Sequence, residues 1–287
     1  MNPPESRPRL VATDIDGTIV PAGGTLSRRT RAALEQCVDN GMSVVLVTGR
    51  PPRWLGPVAE AIDLPGAIIA SNGSILLDSR SLAPLRVATI AAGVAAEVVR
   101  IVREVAPQAA FAAETVDVLR AGPGYENARR HRPAPSGGLV PTQRAVIHTD
   151  SDEAMLATDT LTKLVALDPH ADPDRLLDQT RDAVGHLVSV TRSVTGQALI
   201  EFGPDGVTKA TALSDYAASL GITADEVIAF GDMPNDVEML RWAGRGYAMT
   251  GAHPDATAAA PFLAPPAEQD GVAQVLEAVL AGEAAGS

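Results

Sequence analysis

Short apolar runs alternate with amphipathic stretches along the first part of this chain. Leu10, Val11 and Ala12 form an apolar run that ends at carboxylates, which predicts a buried strand over 10–13. A Gly- and Pro-containing loop follows at 17–25. Ser27 has the character of an N-cap for a helix over 27–40, with Ala33, Leu34 and Cys37 on one face and Gly41 as its stop. A second buried strand is predicted over 43–47, ending at Thr48-Gly49-Arg50. A helix over 52–62 carries Pro in its first turn. A third short strand is predicted over 67–70. Strand, helix, strand, helix, strand is the pattern of a parallel sheet covered by helices.

The rhythm then breaks. Asn72-Gly73 lies between two apolar runs and is a strong hairpin signal. An amphipathic helix over 91–105 has Arg100, Arg103 and Glu104 on its wet side. An extended stretch around Phe111 and a turn-rich segment over 122–141 follow. Strands over 161–167, 187–191 and 198–202 and a helix over 174–184 complete this irregular part. Alternation returns with a helix over 208–220, a strand over 227–230, a helix over 235–242, a strand over 246–249 and a helix over 272–280. The expected architecture is α/β: a discontinuous Rossmann-like parallel-sheet core over 1–83 plus 194–287, with an inserted α+β domain over 84–193.

Composition narrows the function classes. Of 287 residues, 46% are hydrophobic and 20% charged, enough for a packed core. The net charge of -12 argues against nucleic acid or an anionic membrane as partner. At 3% aromatic, platforms for stacking bases are scarce. The lone Cys37 excludes an intramolecular disulfide and reads as a small buried apolar residue. The Pro-rich stretch 1–9 has no signal-peptide core, and no uncharged apolar run approaches the ~20 residues of a membrane helix. A soluble, cytoplasmic protein is expected. Oligomeric state is left open.

In an open parallel sheet, ligands bind beyond the carboxyl ends of the strands. Those ends carry Asp14 and Asp16; Thr48, Gly49 and Arg50; and Asp232, Asn235 and Asp236, while Lys209 opens a nearby helix. Several carboxylates meeting at one place repel unless a cation sits among them. Oxygen ligands favour a hard ion such as Mg2+, which often shares its sphere with phosphate. Arg50 and Lys209 supply charge for an anionic substrate. This is a constellation for phosphoryl transfer, without the Gly-Lys-Ser/Thr loop of nucleotide triphosphatases.

Asp14-Ile15-Asp16-Gly17-Thr18, Thr48-Gly49-Arg50, Lys209 and Gly231-Asp232-Met233-Pro234-Asn235-Asp236 together resemble the four ordered motifs of the haloacid dehalogenase superfamily. The long insert between the second and third resembles its Cof-like sugar-phosphatase branch, which carries a class IIB cap. The resemblance implies that Asp14 is the nucleophile and forms an aspartyl phosphate. It implies that Asp16 protonates the leaving alcohol and then deprotonates water, which needs a pKa above the usual ~3.9. Magnesium would be held by the Asp14 side chain, the Asp16 backbone carbonyl, the Asp232 side chain and waters. Thr48, Gly49, Arg50, Lys209 and Asn235 would bind or neutralise phosphate. Gly17 and Thr18 would shape the loop behind the nucleophile. Asp236 would orient Lys209 or hold a metal-bound water, with a helix-capping role as the competing reading. Asn72 is either the hairpin turn or a substrate contact. The motif reads Lys209-Ala210 where relatives often have Lys-Gly. Met249-Thr250-Gly251-Ala252 stands where Gly-Asn-Ala is common.

The implied activity is hydrolysis of a small phosphorylated metabolite, a sugar phosphate above all, under the cap. A phosphomannomutase-like phosphosugar mutase is the alternative, and would need a second phosphate site. Arg129-Arg130-His131-Arg132 is the one dense basic run that could form it, though such runs are usually solvated. His148 and His170 read as surface residues, and Trp54 and Trp242 as packing residues.

Overall fold

A computed structural model describes residues 7–130 and 145–282. Five strands come first: β1 (Leu10–Thr13), β2 (Ser43–Val47), β3 (Ala67–Ala70), β4 (Ile75–Asp78) and β5 (Pro84–Val87). Then β6 (Ala110–Glu114), β7 (Leu119–Ala121), β8 (Val146–His148), β9 (Lys163–Leu167), β10 (Ser189–Thr191) and β11 (Leu199–Gly203) build a second sheet. The chain returns to the first with β12 (Val227–Gly231), β13 (Arg245–Met249) and β14 (Phe262–Ala264).

The first sheet is eight-stranded, in the order β14-β13-β12-β1-β2-β3-β4-β5. It is parallel from β14 to β3, and β3–β4–β5 is an antiparallel meander. Its central strands β12, β1, β2 and β3 read as near-continuous apolar runs because both faces are covered. Val11, Val44, Leu46 and Ile68 pack under the helices Arg28–Asp39, Gly56–Ile62 and Gly271–Leu280. Leu10, Ala12, Val45, Ile69 and Ala229 pack under Lys209–Ser219, Val237–Trp242 and Pro254–Ala259.

The second sheet is six-stranded, in the order β10-β11-β9-β6-β7-β8. The helices Ala92–Val105 and Pro173–Val184 cover one face over Phe111, Leu164, Ile200 and Phe202. The other face carries small and apolar side chains, among them Ala110, Ala112, Val165 and Leu199.

Sheet membership departs from the expected boundaries at 83/84 and 193/194. β5, at 84–87, pairs with β4 in the first sheet, and β11, at 199–203, pairs with β9 in the second. A short apolar run satisfies either sheet equally, so the strand pattern of 198–202 does not say which one it joins. The helix expected over 52–62 is a single turn, Pro52–Trp54, followed by the helix Gly56–Ile62. Pro57 in the first turn of the second piece has no N–H to continue the first. The helix expected over 235–242 likewise splits into Pro234–Asp236 and Val237–Trp242.

The Ser27 side chain accepts from Thr30 N, as an N-cap does. The hairpin signal at Asn72-Gly73 holds, with β3 and β4 pairing up to Ala70 and Ile75. Cys37 is fully buried, and burial pushes its thiol up to about 12. His148 and His170 are exposed. Of the basic run, His131 and Arg132 lie outside the described residues, as do 133–141 of the turn-rich segment. No helix among the described residues is long and apolar enough to cross a membrane.

Candidate active site

β1 is the centre of the first sheet, with β2 and β12 on its two sides. Three strand ends therefore converge at the crevice where chain direction across the sheet reverses, the place such sheets bind ligands. A cavity of about 370 Å³ opens there, between the two sheets. Its walls include Asp14, Asp16, Thr48, Gly49, Arg50, Asp232 and Asn235. Lys209, Asp236 and Asn72 stand behind that wall and hold it in place.

Lys209 opens its helix behind the N-cap Thr208 and is 1% exposed. Its Nζ donates to Asp14 Oδ1 at 2.6 Å and to Asp236 Oδ1 at 2.7 Å. Burial alone lowers a lysine pKa, but the flanking Asp14 and Asp236 carboxylates raise this one above its ordinary value. A solvated helix lysine is therefore not what the fold contains.

Asp236 is fully buried, and its other oxygen accepts from Asp232 N at 3.1 Å and Met233 N at 3.0 Å. Both of its oxygens are spent, one on Lys209 and one on the loop that carries Asp232. Orienting the lysine and tying the loop are thus one role.

Asp14 is raised to about 7, first by burial and also by the negative charge of Asp236 and Asp16, against the opposing pull of Lys209. Asp232 is raised well above the carboxylate range by burial and by Asp14 and Asp236. Thr18 Oγ1 donates to Asp232 Oδ1 at 3.2 Å. Gly17, at φ +81°, lets the two loops meet: a Cβ there would lie 2.3 Å from Asp232 Oδ2.

Asp14, Asp232 and Asp236 each bring one carboxylate oxygen to within 4.8 Å of the others. With Asp236 engaged, Asp14 and Asp232 are the carboxylates with capacity for a cation, and an all-oxygen donor set suits a hard divalent ion. The residues fit the group.

Arg50 is placed differently from the expectation. Its Nε and Nη2 donate to the two oxygens of Asp16 at 2.7 and 2.6 Å, a bidentate pair. Both oxygens of the expected acid are thus held by the expected phosphate ligand. Thr48 Oγ1 accepts from Arg50 N at 3.1 Å and so shapes the turn itself.

Sequence reasoning missed what the second sheet brings. Lys163 on β9 donates to Gly49 O at 2.8 Å and to Glu201 Oε1 at 2.6 Å. Asn72 Nδ2 donates to Glu201 Oε2 at 3.3 Å, and Asn235 Nδ2 donates to Asn72 Oδ1 at 2.9 Å. Glu114 on β6 pairs with Arg53 of the first unit. Trp54, expected in packing, lines the cavity together with Tyr125, Val165 and Leu199, with Arg53 over its ring. A signal existed: Lys163 and Glu201 are charges inside otherwise apolar strands, which is costly unless they are paired.

Fold and site together define a class. The chain belongs to the haloacid dehalogenase-like hydrolase family, whose model matches residues 11–276. Among curated relatives, a 5-amino-6-(5-phospho-D-ribitylamino)uracil phosphatase, YwtE of Bacillus subtilis strain 168, is 26% identical over 291 residues, covering 96% of this chain and 99% of the relative. An HMP-PP phosphatase of Cronobacter sakazakii is 30% identical over 274 residues, covering 89% of each. The structure of BT4131, a subclass IIB sugar phosphatase of this superfamily, aligns with a TM-score of 0.77 at 22% identity, covering 94% of this chain and 98% of the other. The resemblance to the haloacid dehalogenase superfamily is borne out, the fold is shared with the subclass IIB sugar phosphatase, and the chain is an enzyme of a family whose curated relatives are phosphatases.

Proposed function

We propose that this protein is a magnesium-dependent phosphatase that hydrolyses a small phosphorylated metabolite through an aspartyl phosphate on Asp14. The observation that carries the reading is the Asp14–Lys209–Asp236 arrangement beside Asp232. A buried carboxylate is held by one lysine, at the mouth of a cavity that opens toward a second domain.

Lys209 holds Asp14 Oδ1, and Oδ2 is the oxygen that attacks phosphorus. The ester P–O bond breaks as the new one forms, and the leaving oxygen takes its proton from Asp16. In the second half, Asp16 takes a proton from water, water oxygen attacks phosphorus, and the bond to Asp14 breaks. A phosphate dianion competes with Asp16 for the Arg50 guanidinium, and this frees the Asp16 oxygens for proton transfer. The Gly49 backbone, Thr48 and Asn235 bind phosphate oxygens. Asp14, the Asp16 carbonyl and Asp232 would hold the magnesium, which would supply positive charge against the charge that builds on the phosphoryl oxygens.

The second domain, drawn between about 88 and 203, closes the cavity and selects the leaving group. A sugar phosphate suits the polar part of the lining, Ser193, Thr195 and Gln197. The relatives' names and the flanking Trp54 and Tyr125 also admit a phosphate carried on a ring-bearing polyol. A mutase reading is less favoured. Among the described residues, the cations of the lining, Arg50 and Lys163, are engaged with Asp16 and Glu201. Arg129, in the basic run, pairs with Glu126.

Two measurements test the proposal. Asp14→Asn is expected to abolish magnesium-dependent phosphate release from p-nitrophenyl phosphate while keeping the folded circular dichroism spectrum. Turnover at the parental rate in that variant refutes the mechanism. A panel of phosphorylated sugars and polyols, assayed with and without a bisphosphate activator, separates hydrolysis from mutase activity by whether inorganic phosphate accumulates.

A further inference from the structure

The buried pair Lys163–Glu201 belongs to the second sheet, yet its hydrogen bonds run into the first unit. Glu201 is 3% exposed and sits on β11, two residues before that strand ends at Gly203. It accepts from Lys163 Nζ, from Asn72 Nδ2 and from the Ser193 side chain. Burial would raise its pKa, but Lys163 and these hydrogen bonds hold it below the usual range, so it is a carboxylate and can only accept.

That polarity propagates. Facing an obligate acceptor, Asn72 must present its NH2 to Glu201 and its oxygen to the other side. Asn72 Oδ1 then meets Asn235, which must present its own NH2 in turn, at 2.9 Å. One hydrogen of that NH2 is used and, among the described residues, the second has no partner and is left to donate. Without the carboxylate, either amide can turn over and offer an oxygen instead. Asn235 is 9% exposed, lines the cavity, and its Oδ1 has no hydrogen-bond partner among the described residues. The amide is therefore not locked from the Oδ1 side; the lock is the bond to Asn72.

Asn72 is built for this. Its backbone is left-handed, at φ 56° and ψ 29°, and its N–H donates to Thr48 O at 3.0 Å. The second arm of the pair acts on Gly49. Lys163 Nζ takes the Gly49 carbonyl, and Arg50 N of the same peptide turns to Thr48 Oγ1. A Cβ at Gly49 would lie 3.0 Å from Asn72 Oδ1 and 3.1 Å from Ser193 Oγ, so the two arms meet there.

We propose that Glu201 is a positioning residue for the phosphate site: through Asn72 it sets which way the Asn235 amide faces, and through Lys163 it fixes the Gly49 peptide. The inference rests on the reading of this cavity as a phosphate site. It makes the site a joint product of both units, since the orienting charge stands on the second sheet and the oriented amide on the first.

The test reads binding rather than turnover. Inorganic phosphate is titrated by calorimetry, with magnesium present, into the parent, Glu201→Gln, Asn72→Gly and the double variant. Glycine keeps the left-handed backbone at 72 while removing the amide. Each single variant is expected to weaken phosphate by roughly tenfold, the worth of one hydrogen bond to a charged group. The double variant is expected to be no weaker than the worse single, because both act on one chain of bonds. Thermal melts accompany each titration. If Glu201→Gln does not fold, Asn72→Gly, which leaves the Lys163–Glu201 pair intact, carries the test alone. Phosphate affinity within twofold of the parent in a cooperatively melting variant overturns the positioning role, as does an additive loss in the double variant. A parent that binds no phosphate overturns the phosphate-site reading and this inference with it, whereas a binding parent with unchanged variants overturns this inference alone.

Discussion

Gly17→Ala places a known atom against the loop that holds Asp232. The added Cβ would sit 2.3 Å from Asp232 Oδ2 and 2.8 Å from its Cγ, where ordinary contact begins near 3.4 Å. The carboxylate has to retreat by about 1 Å, and a displacement of that size at a reacting centre costs on the order of a hundredfold in rate. Alanine at φ +81° adds backbone strain of about 1–3 kcal/mol, worth several degrees of Tm in a chain of this length. Gly23 separates the two effects. Its φ is +72°, and nothing lies within 4 Å of where its Cβ would go, so Gly23→Ala carries the strain without the clash. The assay is magnesium dependence of p-nitrophenyl phosphate hydrolysis, together with thermal melts. Gly17→Ala is expected to raise the half-saturating magnesium concentration by roughly tenfold or more and to lower kcat. Gly23→Ala is expected to lose a similar amount of Tm with its magnesium curve unmoved. Parental magnesium dependence in a folded Gly17→Ala refutes the assignment of Asp232 as a metal-holding residue pressed against that loop.

Two further outcomes follow from the same site. Asp16→Asn is expected to cripple hydrolysis while leaving the magnesium-induced rise in Tm nearly intact, because its proposed metal contact is a backbone carbonyl; loss of that rise counts against the ligand set. Burial raises Asp14 to about 7, so this group favours the folded, metal-free protein at low pH, and the contribution is lost as pH rises through about 7. Magnesium held by Asp14 would displace that proton, so it is expected to raise Tm more at about pH 8 than at about pH 5.5, and equal gains at both refute the titration.

The core was legible where local pattern and global fold agree. The apolar runs at 10–13, 43–47 and 67–70 are buried on both faces, and no other element type accommodates such short runs so followed by turns. The four motifs were legible because each lies at a strand end or helix start, and the parallel sheet brings them together at one edge. The pairings between motifs were not legible. That Arg50 grips Asp16, and that Asp236 spends one oxygen on Lys209 and one on the Asp232 loop, depends on side-chain directions that spacing leaves undetermined. The second sheet was harder still. β7 and β8 are three residues each, too short for a pattern of their own, so their partners are set by tertiary context and not by propensity. Lys163 and Glu201, far apart in sequence on β9 and β11, gave no motif, only two charges in places that apolar residues usually fill.

The central position of β1 has a consequence for how this protein is made. Asp14 follows a strand near the amino end of the chain, and the neighbour that completes its pairing, β12, comes only after the whole second sheet. At translation speeds of about 5–20 residues per second, that partner is missing for on the order of tens of seconds. Through that interval β1 presents an open, apolar edge that other chains can pair with. The strand that carries the proposed nucleophile is therefore the part of the nascent chain in most need of protection. The site cannot assemble on the growing chain until the segment around Asp232 has emerged, after the whole second sheet has been made.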